Sequence, residues 1–126
     1  MRTIEFRGKN INGAWVFGAY EKPMKYGCHK IISHNHDGTY SYAYDVKPET
    51  VGQNTGLYDV NGDSIFEGDI LEEVETGKRV AVVYNAPQFC FRDNEFGYKF
   101  LNHTENFFIA GTIYDSPELL EKGGNQ

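Results

Sequence analysis

The chain has 126 residues, a formal net charge of −6, and 9 Phe, 9 Tyr and 1 Trp against only 5 Leu and 6 Ala. That length suits one soluble domain or two small lobes, and 40% apolar with 15% aromatic side chains excludes a disordered chain, because burying them offsets the conformational entropy lost on folding. The scarcity of Leu and Ala excludes a helical bundle, whereas aromatic and β-branched residues with 14 Gly point to strands joined by tight turns, a mainly β protein.

At the N-terminus, Ile4 and Phe6 alternate with charged or polar neighbours and Ala14 to Tyr20 is an apolar-aromatic run. Asn12-Gly13 between them tolerates positive φ, which predicts an opening hairpin. Cys28 to Ser33 is the next strand, followed by a turn at Asn35-His36-Asp37-Gly38. Tyr40, Tyr42, Tyr44 and Val46 then alternate with Ser41, Ala43 and Asp45, so a period of two places the tyrosines on one face. Pro48 breaks this run, and Lys47-Pro48-Glu49 marks the boundary between a short N-terminal β lobe, residues 1–47, and a C-terminal domain, residues 48–126.

Beyond the boundary, Thr50 to Gln53 and Thr55 to Asp59 are short extended pieces, Asn61-Gly62 is a hairpin signal, and Ile65-Phe66 leads into the turn Glu67-Gly68-Asp69. Ile70 to Glu75 and Arg79 to Tyr84 flank the turn Thr76-Gly77-Lys78, and Phe89 to Phe91, Tyr98 to Leu101 and Phe107 to Tyr114 complete the strands. Short strands joined by tight turns predict an SH3-like small β-barrel for this half, which removes exposed edges. Ser116 as cap, Pro117 in the first turn, Glu118 and Leu119-Leu120 predict one short C-terminal helix.

The opening residues lack the apolar stretch of a signal peptide, no run reaches the length of a membrane span, and Cys28 and Cys90 have no CxxC spacing; these features fit a cytoplasmic protein with reduced thiols. Charge is uneven: residues 1–48 carry seven Lys or Arg and four Asp or Glu, net +3, and residues 49–126 carry five and fourteen, net −9. Such a division keeps the protein soluble and lets a basic surface of one copy meet an acidic surface of another.

Phe6-Arg7-Gly8, Gly13-Ala14-Trp15-Val16-Phe17-Gly18, Val46 to Leu57, Asp59 with Asn61-Gly62 and Ile65 to Leu71, and the closing Gly111 to Leu120 form a set of blocks. Taken together they resemble the YopX-like family of phage and prophage proteins. Thr112 and Ser116 stand where the family usually has Asn, and Phe17 where it often has Tyr. The resemblance implies a mostly β fold, a phage or prophage origin and a bacterial host cytoplasm; it implies no activity. Its motif residues Trp15, Gly52, Gln53, Gly56, Gly68 and Asp69 read as structural: glycines set turns, the indole fills space, and Asp69 can hydrogen-bond its own turn.

Tyr40, Tyr42 and Tyr44, with Lys30 and Lys47 nearby, are the residue types that stack unpaired bases and meet phosphates, though a net charge of −6 repels a polyanion. His29, His34 and His36 with Asp37 are of metal-ligand type, yet the polar turn explains them and nothing else closes a site. Asp59-Val60-Asn61-Gly62-Asp63 begins like a calcium loop but continues with Ser64 and Ile70 where that loop needs Gly and Glu. No nucleophile elbow or phosphate-binding loop is present. No catalytic residue and no cofactor is therefore assigned. The expected function is a non-catalytic protein-interaction module acting as a homo-oligomer, with a phage or host protein as partner; a single-stranded nucleic-acid binder is the alternative, and a small metal-dependent enzyme built on the histidines is third.

Overall fold

The computed structural model describes residues 4–23, 27–34, 41–85, 88–93, 97–100 and 104–120. It is mainly β and divides into two compact units, Met1–Asn54 and Thr55–Gln126.

In the first unit, β1 (Phe6–Lys9), β2 (Trp15–Glu21), β3 (Lys30–His34) and β4 (Ser41–Asp45) pair antiparallel with their chain neighbours. The β1–β2 turn is held by Asn10, whose Oδ1 accepts the N–H groups of Asn12 and Ala14, each at 3.0 Å, while Gly13 takes φ +82°. The outer edge of β1 is used twice. Its start pairs with the first residues of β5 (Gly52–Tyr58), Gly52 opposite Arg7 and Gln53 opposite Phe6. Its end meets the chain leaving β4, where Asn10 bridges Val46 and Lys47 donates its N–H to Lys9 O at 2.8 Å. Strands β1 to β4 thus curl back on themselves around buried Ile31 and Val46. Gly8 makes room inside, since a Cβ there would lie 3.2 Å from both Val46 Cβ and Val51 Cγ2.

Between Val46 and β5, Pro48–Thr50 forms a 3₁₀ turn within the first unit. The buried Thr50 hydroxyl accepts the N–H of Lys9 at 2.9 Å and donates to Lys47 O at 2.6 Å, standing in for a strand partner at the point where β1 changes neighbours.

In the second unit, β5 continues beside β6 (Ser64–Phe66). At Gly56, with φ +82°, the strand kinks; the buried Thr55 hydroxyl accepts the N–H of Leu57 at 3.1 Å and donates to Ile65 O at 2.8 Å. A second antiparallel sheet contains β7 (Asp69–Glu73), β8 (Arg79–Asn85), β9 (Gln88–Asp93), β10 (Gly97–Phe100) and β11 (Phe107–Thr112), in the order β10-β9-β8-β7-β11. Ile65, Leu71, Val80 and Val82 form its buried core, with Leu57, Phe107 and Ile109 packed against them. Apolar burial of this kind is the main term holding so small a unit together.

The helix expected after Ser116 is not found. Among the described residues helical geometry is confined to 3₁₀ turns, here Pro117–Leu120, with Leu119 N–H on Ser116 O at 3.0 Å. Four residues close too few hydrogen bonds to offset helix nucleation, and Gly123-Gly124 follow in the sequence. Thr112 anchors the turn before it: its hydroxyl accepts the N–H groups of Tyr114 at 3.2 Å and Asp115 at 3.0 Å.

Candidate functional site

The tyrosine stripe lies on β4, the last strand in the order of its sheet. Directly opposite residues of an antiparallel pair share a face. Tyr44 therefore lies beside Ile31 and Tyr42 beside Ser33 on one face, while Lys30 and Asp45 share the other. Tyr42 is 55% exposed, Tyr44 is half-buried, and their rings are tilted against each other at 6.4 Å. Tyr40 lies outside the described residues.

Lys30 and Lys47 do not join the tyrosines. Lys30 projects from the opposite face and is bound to Asp45, Nζ to Oδ1, at 2.6 Å; hydrogen bonding to that carboxylate, and its charge, hold the ammonium above the usual lysine range. Lys47 is exposed beyond the strand, with its N–H on Lys9 O. The basic residues that a polyanion site needs are thus parted from the aromatic ones.

Of the histidines, His29 is half-buried, its Nδ1 within hydrogen-bond distance of the Tyr20 hydroxyl, and the two rings lie near-parallel with centroids 5.8 Å apart. Tyr20 in turn meets Phe6, ring centroids 5.6 Å apart, which ties His29 to the interior of the curled sheet. His34 ends β3 and His36 lies outside the described residues. Among the described residues no three His, Cys, Asp or Glu side chains gather to hold a metal ion. Cys28 is exposed and Cys90 buried, and neither is in a disulfide.

The motif residues occupy turns and pairings. Trp15 receives the Arg7 guanidinium at 4.4 Å from its ring centroid and the Lys9 ammonium at 5.4 Å. Asp69 is fully buried, its Oδ2 accepting the N–H of Phe66 at 2.7 Å across the turn that opens β7. Gly68 in that turn has φ +95°, and a Cβ there would lie 2.9 Å from the Tyr114 ring. The Asp59 segment is a turn between β5 and β6: Asp59 Oδ1 accepts the N–H groups of Asn61 and Asp63, each at 2.9 Å, and Oδ2 accepts that of Ile109 at 3.1 Å. Its carboxylate oxygens are directed at backbone donors.

What the sequence reading missed is the backbone of β4. Ser41 and Ala43, small residues beside the tyrosines, lie on the strand that ends the sheet among the described residues; their size and position between aromatics are what the sequence offers as a signal of it. No helix of the described residues is long and apolar enough to cross a membrane.

A family model described as YopX protein matches residues 5–121 of the chain. No curated protein matches it significantly. Among solved structures, the chain is similar to protein EF1440 from Enterococcus faecalis, with 20% identity, a TM-score of 0.61, and coverage of 96% of this chain and 100% of that one. At that identity the likeness extends to the fold.

Proposed function

The chain belongs to the YopX protein family, and from that premise we propose that it is a non-catalytic phage or prophage accessory protein that works by binding protein in the host cytoplasm, as a homo-oligomer. The observation that carries this reading is β4, a sheet-edge strand whose Ser41, Tyr42, Ala43 and Asp45 are all exposed, with an aromatic side chain on offer. Exposed aromatics on a rigid strand are the usual anchors of protein interfaces. Nucleic acid as the ligand loses support from the same geometry, since Lys30 faces away and is held by Asp45. For the second unit, the strand order supports an SH3-like barrel: β7 to β10 form a meander and β11 returns beside β7, the connectivity that a five-stranded small barrel requires.

Light scattering on the purified, nuclease-treated chain over a wide concentration range tests the reading. A mass rising above the 14.3 kDa of one chain is expected, with no saturable binding of a labelled oligothymidine in parallel. A single-chain mass throughout, with tight oligothymidine binding that weakens steeply with salt, contradicts it.

A further inference from the structure

Val46 donates its N–H to His29 O at 3.0 Å, and that bond fixes the hydrogen-bonding phase of the whole β3–β4 pair. Opposed residues in an antiparallel ladder alternate between pairs that exchange both bonds and pairs that exchange none. Tyr44 and Tyr42 therefore direct their N–H and C=O groups at Ile31 and Ser33, whereas Ser41, Ala43 and Asp45 direct theirs away from the sheet. Just past Asp45 the outer side is taken by the contact with Lys9 and Asn10. Ser41 and Ala43 remain at an edge with no further strand beside it among the described residues.

Open edges are ordinarily blunted by Lys, Pro, a bulge or a covering element. This one is not. Ser41 and Ala43 are exposed, small and uncharged, and the charge of Asp45 is matched within the chain by Lys30.

We propose that this edge pairs antiparallel with the same edge of a second copy, about a two-fold axis through Tyr42. The proposal rests on the oligomer reading above and names its surface. Ser41 of each copy lies opposite Ala43 of the other, and each of these pairs exchanges two hydrogen bonds. Tyr42 meets Tyr42 in the non-hydrogen-bonded position between them, where opposed side chains come closest. A second copy is the occupant because the pattern is its own complement: the outward groups sit one residue either side of Tyr42, so one patch serves both partners, as an isologous interface requires. The Tyr42 and Tyr44 rings already in contact bring four tyrosines together on one face. On the other face, small Ser41 and Ala43 side chains let the strands approach.

A cysteine scan in a Cys28→Ser background reads the register. Opposed Cα atoms in a non-hydrogen-bonded pair are about 4.5 Å apart, within reach of a disulfide. Tyr42→Cys is expected to cross-link into dimers under mild oxidation at least tenfold more than Asp45→Cys. Tyr42→Glu, which sets two carboxylates against each other, is expected to weaken association at least tenfold. Ala43→Pro gives the same loss by removing an N–H that is directed away from β3 and bonds no described residue; it keeps the test independent of position 42. Equal cross-linking at both positions, or a dimer unmoved by Tyr42→Glu and Ala43→Pro, overturns the edge while leaving oligomerisation intact. A chain that stays monomeric overturns both.

Discussion

Gly18 sits in β2 at φ +156°, and a Cβ there would lie 2.0 Å from Ile32 O and 2.7 Å from its carbonyl carbon. Both neighbours are backbone, so no rotamer change relieves the contact. Gly18→Ala is expected to cost about 3 kcal/mol, read as a lower denaturant midpoint. Thr50 makes a different case, because its hydroxyl both accepts from Lys9 and donates to Lys47. Thr50→Val loses both bonds and is expected to cost ~1–3 kcal/mol, whereas Thr50→Ser keeps them and most of the stability. The Asp69 turn was legible in the sequence, since an Asp after Gly bonds locally. Thr50 was not: its donor Lys9 is 41 residues away in the chain, and no local pattern reveals it. Tyr42, 55% exposed on an edge strand, is expected to tolerate Ala with little change in melting temperature.

At the scale of elements, alternation and Asn-Gly or Gly-containing turns placed most strands, because a hairpin is specified by residues close in sequence. Two features were not readable. Residues 50 to 59 look like two short extended pieces, whereas Gly52–Tyr58 is one strand kinked at Gly56. Its continuity depends on Thr55 bridging to β6 and on β1 lying alongside, both distant partners. The Ser116-Pro117 signals fall at the start of a turn, but the described residues behind them, Pro117–Leu120, form a 3₁₀ turn and no helix. Within β3 and β4, the Lys30–Asp45 pair is exposed, so its contribution is small and salt-screened. Because the Lys30 ammonium is held above its usual range, that contribution is complete at neutral pH and is lost only as pH rises through the folded-state value. Thermal melts of Lys30→Met and the parent are therefore expected to differ little, and by the same amount at neutral and mildly alkaline pH.

For the whole molecule, the sign of the salt dependence separates two modes of association. Each copy carries a net charge of −6, and residues 1–48, which contain the proposed edge, carry +3. Two copies meeting through identical edges therefore repel on either count, and added salt is expected to tighten the dimer by screening that repulsion. Basic-to-acidic contact between copies, which the charge division alone suggests, would loosen with salt instead. Sedimentation velocity at low and moderate ionic strength distinguishes them.

The most direct measurement is residue-resolved amide exchange by NMR on the intact chain at low and high protein concentration. In the free chain the Tyr42 and Tyr44 amides, directed at β3, are expected to be protected and the outward Ser41 and Ala43 amides to exchange freely. Concentration is expected to slow exchange at Ser41 and Ala43 and leave the two tyrosines little changed. Association at high concentration with Ser41 and Ala43 still exchanging freely would contradict the pairing of these edges.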